Sequence, residues 1–507
     1  MKIGVLKEIK DNEKRVAVTP SIISKIKKLG FEILVEKDLG VKASLYNEQY
    51  KQSGAIVCSK EEIYQCDLLL KINKPTYDEI NLLSKNQTLI SFFTPALNKD
   101  LLESCKKDSI NILSMDSVPR ISRAQKMDAL SSMANVAGSR AVIEAAHCFG
   151  RFFGGQITAA GKINPAKILI IGAGVAGLSA IGTASSLGAI VRAFDTRPEV
   201  KEQVESLGAQ FLTVNINEDG SSKDGYAKEM SKKFIEEEMK LFKQQAKDVD
   251  VIITTALIPG KEAPKLITRE MVKLMKPGSV IVDLASQQGG NCELCIQDQI
   301  TNHDGVKIIG FTDLPSRLPS QSSELYANNL FHILDELTPD KNGEIMINMD
   351  DDVIRGMTVV KDGEITYPPP KVEVSASSKS KVEKKVIHSP HISSERKSSF
   401  IPGLITLSLL FFVGAFAPAS FMNHFTVFVL SCFIGYMVIW NVTASLHTPL
   451  MSVTNAVSSI IIIGAITQIS TADTLSLILS GLAIFIASIN IFGGFAVTKR
   501  MLGMFRK

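Results

Sequence analysis

The sequence predicts an α/β protein with two lobes built on parallel sheets, followed by a flexible linker and an all-α membrane segment of four helices. Three observations support this prediction. From Met1 to about Pro370, short apolar runs alternate with amphipathic stretches, as strands and helices do in parallel α/β sheets. A stretch rich in Ser and Lys then lacks any apolar period. Beyond it, four apolar runs have about the 20 residues that a bilayer requires.

The apolar runs before the linker form two sets, separated by a long helical pattern from Ala129 to Gly150. The first set contains KIGVL, FEILVE, DLLLKI, QTLISFF and INILSM, and the second contains KILIIGA, AIVRAFD, DVIITTA, GSVIVDLA and KIIGFT. We therefore expect an N-terminal lobe of residues 1–130 plus 327–370 and a second lobe of residues 131–326.

Composition excludes a nucleic-acid partner and a disulfide framework. Residues 1–370 contain 45 Lys and Arg against 48 Asp and Glu, so the folded region has no basic surplus. The linker, residues 371–400, contains 7 basic and 3 acidic residues, which suits anionic lipid headgroups. The seven cysteines lack paired spacing, which indicates a reducing compartment. The single C-x-x-C, at Cys292 and Cys295, has no second ligand pair, so no metal site is expected.

The C-terminal region, residues 401–507, is expected to cross a membrane. Its four runs lack Lys, Arg, Asp and Glu, and they are Ile401–Ser420, Phe421–Trp440, Pro449–Ile469 and Thr474–Val497. The first two could instead form one re-entrant piece. Basic residues flank the first run and the last run on their outer sides, whereas the turn between the last two carries only Asp473. The positive-inside rule then places the soluble lobes and both ends in the cytoplasm.

The stretch KILIIGAGVAG has the spacing of a dinucleotide-binding turn. Gly172 permits the tight turn, Gly174 lets the backbone approach a pyrophosphate, and Gly177 lets the helix pack on the strand. Asp195 follows at the end of the next strand, where its carboxylate can bind a ribose and repel a 2′-phosphate. The pattern predicts a Rossmann-like site that favours NAD. Arg197 leaves NADP open, because an arginine at this point can hold its phosphate.

Two polar stretches have two interpretations each. RISRAQKMDALSSMAN could simply cap the following helix, with Asp128 as its N-cap, or it could contribute to a site. EDGSSKDGYAKEM could be a plain surface loop or a lid over the nucleotide.

Several stretches together resemble the alpha-subunit family of bacterial proton-translocating NAD(P)⁺ transhydrogenases. They are GVLKEIKDNEKRVAVTP, RISRAQKMDALSSMANVAG, GAGVAGLSA, FDTRPEVKEQVESLGAQF, GYAKEM, TTALIPG, HTPLMSVTNAVSS and ASINIFGGFAVTKRML. The resemblance covers nearly the whole chain, with residues 371–400 outside it. A soluble relative of this family is alanine dehydrogenase.

The resemblance implies where the site residues lie. It implies a catalytic set around the nicotinamide, consisting of Arg120, Gln125, Asp128 and Ser131. It implies that Val175 lies under the pyrophosphate and that Asp195, Thr196 and Arg197 hold the adenosine ribose. The full set of implied nucleotide contacts is Gln125, Lys126, Met127, Asp128, Gly172, Gly174, Val175, Gly177, Asp195, Thr196, Arg197, Gly225, Tyr226, Glu238 and Leu257.

Four positions bear on the distinction between this chain and the alanine dehydrogenases that it resembles. Arg15 matches their substrate-binding arginine, but Asn73 stands where they have a lysine. Thr94 and Gln287 stand at the positions of their catalytic His and Asp. Oxidation of an amino acid needs general acid–base groups, whereas hydride transfer between two nicotinamides needs only close apposition in a dry pocket. A transhydrogenase is therefore favoured over a membrane-anchored dehydrogenase, and Arg15 is expected in a structural salt link.

The chain also needs a partner, because one nucleotide site and uncharged membrane runs cannot perform coupled transhydrogenation alone. The resemblance implies NAD(H) on this chain and NADP(H) on a membrane-bound beta subunit, with the soluble region dimerising inside an α2β2 assembly. The alternative that is not an enzyme is an NAD-sensing channel or transporter, whose pore would be expected to carry a polar lining that these runs lack.

Overall fold

The computed structural model describes residues 1–107, 109–214, 216, 230–257, 262–370, 418–440, 460–469 and 474–505. The chain divides into two compact units, Met1–Lys381 and Val382–Lys507. The predicted linker, residues 371–400, lies outside the described residues.

The first unit begins with an eight-stranded sheet. Its strands are β1 (Lys2–Val5), β2 (Glu32–Glu36), β3 (Ile56–Cys58), β4 (Leu68–Leu70), β5 (Thr88–Ser91), β6 (Asn111–Ser114), β16 (Thr358–Lys361) and β17 (Glu364–Ile365). They lie in the order β17-β16-β6-β5-β4-β1-β2-β3. Strands β1 to β6 are parallel, which confirms the predicted sheet type, whereas β16 and β17 add an antiparallel edge.

The second sheet has seven strands and carries the glycine-rich turn. They are β9 (Lys167–Ile171), β10 (Ile190–Phe194), β11 (Gln210–Leu212), β12 (Val251–Thr254), β13 (Val280–Asp283), β14 (Ile300–His303) and β15 (Val306–Ile309). Their order is β11-β10-β9-β12-β13-β15-β14, and only β14 pairs antiparallel. The strand order reverses between β9 and β12, where open α/β sheets bind ligands. Between the sheets, β7 (Gln156–Thr158) and β8 (Gly161–Ile163) form a separate hairpin.

Helices cover both sheets of this unit. They are α1 (Pro20–Lys27), α2 (Asn47–Gln52), α3 (Lys60–Ile63), α4 (Tyr77–Asn81), α5 (Lys99–Lys107), α6 (Ala129–Phe149), α7 (Val175–Ser186), α8 (Lys201–Ser206), α9 (Lys232–Ala246), α10 (Arg269–Leu274), α11 (Pro319–Leu337) and α12 (Asp352–Met357). Strand β9 shows why the sheet needs them. Ile168 and Ile170 enter one core, and Leu169 and Ile171 enter another on the opposite face. A sheet that is buried on both faces gives the continuous apolar runs seen in the sequence.

Two long helices cross the predicted lobe boundaries. Helix α6 contributes Ala129 and Met133 to the core of the first sheet, and Ala141 and Phe149 to the core of the second. The predicted boundary between residues 130 and 131 falls in its first turn, and the boundary between 326 and 327 falls inside α11. The division into lobes at these residues stays a prediction.

The second unit contains helices Ala419–Trp440, Ile460–Ile469 and Thr474–Phe505 among its described residues. Within the last of these, Thr474–Phe492 is long and apolar enough to cross a membrane. The predicted run Ile401–Ser420 lies almost wholly outside the described residues, as does the first half of Pro449–Ile469. The count of four spanning helices therefore stays a prediction.

Candidate functional site

A cleft of about 1960 Å³ opens at the carboxyl ends of both sheets in the first unit. Its described walls come from the segments that follow β1, β4, β5 and β6 in one sheet and β9, β10, β12 and β13 in the other. Carboxyl ends of parallel strands are the usual ligand sites of α/β folds, because neighbouring loops diverge there. The cleft therefore brings together segments that are far apart in the sequence.

The glycine-rich turn has the geometry that the sequence predicts. Gly172 has a φ of +98°, and a side chain there would lie 2.4 Å from the Thr255 hydroxyl oxygen. A Cβ atom at Gly177 would lie 1.8 Å from the carbonyl oxygen of Gly172. At Gly174, by contrast, the nearest atom to a Cβ is 3.9 Å away, on the Arg197 guanidinium. Two of the glycines are thus required by the fold, and the third leaves free space at the N-terminus of α7, where N–H groups can bind a phosphate.

Asp195 and Arg197 form a half-buried ion pair on the cleft wall. The Asp195 carboxylate accepts the backbone N–H groups of Ala173 at 2.7 Å and Arg197 at 2.9 Å. It also accepts Nε and Nη2 of Arg197, both at 2.9 Å. The guanidinium charge is thereby balanced by Asp195, which leaves it less available to a 2′-phosphate. This geometry supports the preference for NAD, which stays a prediction.

Next to this pair, two polar groups lack a partner within the described residues. The Thr196 hydroxyl is buried with no hydrogen-bond partner there. Glu238, on α9, is 7% exposed and lines the cleft. Burial and the charge of Asp195 raise the pKa of Glu238 to about 7. Buried polar groups without partners are costly, so the chemistry of this corner fits a ligand rich in hydroxyl groups, such as a nucleotide ribose.

The predicted nicotinamide loop is a 3₁₀ helix, Ser122–Met127, that leads into α6. Asp128 caps α6 by accepting the backbone N–H of Ser131 at 2.9 Å and its hydroxyl at 2.5 Å. Arg120 and Ser131 both line the cleft. The capping interpretation and the site interpretation are therefore compatible, because the cap fixes a side chain of the cleft wall.

Not every predicted contact reaches the cleft wall. Gln125 and Lys126 are exposed on the 3₁₀ helix, and the Met127 side chain is fully buried in the first core, which leaves only its backbone for a nucleotide. Gly225 and Tyr226 lie outside the described residues. Val175, Thr196 and Leu257 line the cleft together with Gly172 and Gly174, whereas Gly177 lies behind them in the turn.

The end of the cleft in the first sheet contains a polar network that no sequence pattern reveals. Arg15 donates Nε to Glu13 at 2.8 Å and Nη2 at 2.6 Å, which confirms the predicted salt link. Asn73 donates its amide to Glu8 and to Glu13, both at 2.9 Å. Although burial raises it, the hydrogen bonds and charge of Arg15 lower the pKa of Glu13 to about 2. Burial raises the pKa of Glu8.

Asn73, Thr94 and Gln287 line this same cleft. The described residues of the cleft wall include no histidine. The Asp116 carboxylate nearby accepts the backbone N–H groups of Phe93 and Thr94, both at 2.9 Å. Such a carboxylate is committed to holding the loop in place and makes a poor general base.

Comparisons with known proteins agree with this geometry. Residues 4–137 match the alanine dehydrogenase/PNT N-terminal domain, and residues 141–368 match the alanine dehydrogenase/PNT C-terminal domain. Residues 424–507 match the 4TM region of pyridine nucleotide transhydrogenase.

Three relatives illustrate the match. NAD(P) transhydrogenase subunit alpha of Haemophilus influenzae is 54% identical over 100% of both chains. In Rhodospirillum rubrum, a shorter NAD(P) transhydrogenase subunit alpha chain is 42% identical and covers 73% of this chain and 98% of its own. The crystal structure of transhydrogenase from Sinorhizobium meliloti has a TM-score of 0.64 and 36% identity, and covers 73% of this chain and 99% of that one.

Fold and site thus define a Rossmann-like oxidoreductase with a membrane-associated C-terminal region. The chain belongs to the NAD(P) transhydrogenase alpha-subunit branch of the alanine dehydrogenase/PNT family.

Proposed function

We propose that this chain binds NAD(H) in the cleft and exchanges hydride with NADP(H) bound by a membrane beta subunit, in a reaction coupled to proton movement across the membrane. The observation that carries the proposal is the Asp195–Arg197 pair beside the glycine-rich turn, in a cleft whose described wall includes no histidine and has Thr94 and Gln287 in place of a catalytic pair. Names of full-length relatives support the transhydrogenase activity.

The residues present fit a dinucleotide. The bound nucleotide supplies hydride chemistry at nicotinamide C4. The N-terminal N–H groups of α7 bind the pyrophosphate, while Asp195 and the unpartnered Thr196 hydroxyl bind the adenosine ribose. Arg120 and Ser131 orient the nicotinamide end, with Ser131 fixed by Asp128. The closed network around Arg15 contributes no proton to the reaction and keeps its charges paired at that end of the cleft.

The partner follows from an energy argument. Hydride exchange between two nicotinamide nucleotides gains almost no free energy, whereas one charge crossing 100 mV yields about 2.3 kcal/mol. That amount shifts the NADPH/NADP⁺ ratio roughly 50-fold. The four apolar runs contain no Lys, Arg, Asp or Glu, and their one histidine, His424, lies near the start of a run, so we assign the titrating group to the beta subunit. The Lys and Arg residues after the last run support a cytoplasmic position of the soluble lobes.

A dimer of this chain within an α2β2 assembly is supported by the hairpin β7–β8. All six of its strand residues are exposed, and Ile157 is 85% exposed. An isolated two-stranded hairpin is marginally stable in water, so this one gains stability by packing against another chain.

The two rival functions have less support. A membrane-anchored alanine-type dehydrogenase would need acid–base groups where Thr94 and Gln287 stand, and a substrate-binding lysine where Asn73 stands. An NAD-sensing channel or transporter finds no support in the full-length Haemophilus influenzae relative, which is named as a transhydrogenase subunit.

The test measures nucleotide binding and then hydride transfer with the full chain in detergent. We expect NADH to bind at least about tenfold more tightly than NADPH, and Asp195→Ala to reduce this preference. After addition of the beta subunit, NADH should reduce an NADP⁺ analogue. The chain without the beta subunit should not oxidise NADH when pyruvate and ammonia are supplied together. Equal binding of the two nucleotides, or turnover of pyruvate by the chain alone, would falsify the proposal.

A further inference from the structure

The adenosine corner of the cleft contains a buried carboxyl group that the hydride transfer does not use. Glu238 is 7% exposed and lines the cleft. Among the residues that the structure describes, none donates a hydrogen bond to its carboxyl group or forms an ion pair with it. A carboxyl group that folding alone would leave unpaired at such a place is a functional-site candidate, because its desolvation is costly.

The register of α9 places this carboxyl group next to Asp195. The buried face of α9 consists of Phe234, Glu238, Phe242 and Ala246, which are spaced four residues apart. The ring of Phe242 packs edge-on against Phe194, with the centroids 5.1 Å apart. Phe194 directly precedes Asp195. Glu238 and Asp195 both line the cleft, and they are close enough for the charge of Asp195 to act on Glu238. Glu238 therefore belongs to the buried face of α9 and also lines the adenosine corner of the cleft.

The charges around Glu238 leave it without a compensating cation among the described residues. Asp195, at the end of β10, is the nearest acidic group acting on it, and Arg197 is committed to Asp195. From α10, Glu270 pairs with Lys243 on the exposed side of α9. Glu237, its neighbour on the helix, is partly exposed and pairs with Lys240 at 2.7 Å. Burial first, and then Asp195, raise the pKa of Glu238 to about 7.

We propose that Glu238 is a second specificity-determining carboxyl group, which acts with Asp195 to select NAD(H) against NADP(H) and makes this selection depend on pH. This inference rests on the proposed binding of NAD(H) to this chain. In its ionised form, Glu238 adds a negative charge that, unlike that of Asp195, is not balanced by Arg197, and it accepts a hydrogen bond from a ribose hydroxyl. In its protonated form it no longer repels the phosphate and donates a hydrogen bond instead.

The sign of the pH effect follows from the charge. As pH rises through about 7, Glu238 loses its proton, and NADPH binding weakens relative to NADH binding. The ratio of the NADPH dissociation constant to the NADH dissociation constant should therefore rise roughly tenfold between about pH 6 and about pH 8. The 2′-phosphate itself has a pKa of about 6 and contributes in the same direction, so a variant must separate the two contributions.

The experiment measures both dissociation constants by calorimetric titration of the full chain in detergent across this pH range. Glu238→Gln keeps the shape of the side chain and removes its proton equilibrium, so only the ligand's own phosphate titration should remain. Glu237→Gln, one residue away on the exposed side, should behave as the wild type. Glu238→Asp keeps an ionisable group and should keep a pH-dependent ratio even if Glu238→Gln folds poorly.

The outcomes separate this inference from the proposed function. A ratio that rises equally in the wild type and in Glu238→Gln overturns the role of Glu238 while leaving NAD(H) binding intact. Absence of NADH binding at every pH overturns the proposed function itself. The inference is supported if the ratio of the two dissociation constants rises more with pH in the wild type and in Glu237→Gln than in Glu238→Gln.

Discussion

Asn73 shows how much one side chain can depend on tertiary structure. The link from Arg15 to Glu13 is local in sequence, and the prediction of a structural salt link for Arg15 does not identify Glu13 as its partner. The bridge from Asn73 to Glu8 and Glu13 spans 60 residues or more and forms only because β1 and β4 are neighbours in the sheet. No local sequence pattern predicts this bridge, because the spacing of residues does not determine which strands become neighbours in the sheet. The glycine-rich turn is predictable for the opposite reason, since its steric requirements are local.

Glu13 yields a prediction at the residue scale. Its pKa falls from an ordinary value of 4.5 to about 2 in the folded state, so the ion pair stabilises the protein above about pH 4.5 and this contribution is lost as pH falls through about 2. The shift corresponds to about 3 kcal/mol. The R. rubrum relative comprises this region as a whole chain, which justifies a fragment of residues 1–370.

We expect Glu13→Gln to lower the free energy of unfolding of this fragment by about 3 kcal/mol at neutral pH, with the deficit shrinking towards pH 2. Urea unfolding followed by circular dichroism measures it. The exposed Glu48→Gln, whose partner is Lys51 at 2.9 Å, is the control and should change stability little. A deficit that is constant down to about pH 2 would contradict the assignment of the stabilising charge to Glu13.

At the scale of elements, the parallel strands are predictable from the sequence, whereas the antiparallel edges escape the same reasoning. Buried parallel strands give continuous apolar runs, which the rhythm of the chain reveals. Strand β14, ITNH, is polar, and β17 has only two residues, so neither gives such a run. A turn signal is present, because Asp304–Gly305 and Asp362–Gly363 join the two hairpins with positive φ at every residue. Asp-Gly is a strong hairpin signal between alternating strands, and it locates the antiparallel pairs β14–β15 and β16–β17.

The loops after β12 and β13 give a prediction at this scale. Asn291, in the second loop and fully buried, donates its amide to the carbonyl oxygens of Ala256 at 2.8 Å and Pro264 at 2.9 Å. Both acceptors line the cleft on either side of Leu257. The amide therefore ties down the two ends of the loop that carries Leu257, and we infer that Asn291 is a positioning residue for the nucleotide.

Asn291→Asp replaces the donor by a carboxylate that faces two carbonyl oxygens. We expect the NADH dissociation constant to increase roughly tenfold or more, since about two hydrogen bonds are lost. Calorimetric titration measures it, with the melting temperature recorded in parallel. Asn302→Asp is the matched control, because the exposed Asn302 side chain accepts the N–H of Gly305 at 3.0 Å and an aspartate accepts it equally well. Unchanged NADH affinity in a folded Asn291→Asp chain would show that the loop is held by other contacts.

On the scale of the whole molecule, the chain combines the cleft with a membrane-associated region whose four apolar runs carry no Lys, Arg, Asp or Glu. Energy coupling requires a titrating group, and these runs offer only His424, so the proposed function depends on a partner subunit. The hairpin β7–β8 also lacks a packing partner within the part of its own chain that the structure describes, because all its strand residues are exposed. A second copy of the chain is the partner that we propose for this surface.

The hairpin leads to a prediction about assembly. In the fragment of residues 1–370, we expect Ile157→Asp to convert a dimer into a monomer at micromolar concentration, because a charge in an apolar interface core costs several kcal/mol. Light scattering after size exclusion measures the mass. Ile56→Asp is the control, since Ile56 is 47% exposed on the edge strand β3 and should leave the dimer intact. Ile157 lies outside the described cleft wall, so the NADH affinity should stay unchanged in the monomer. A dimer that persists in Ile157→Asp places the interface elsewhere on the chain.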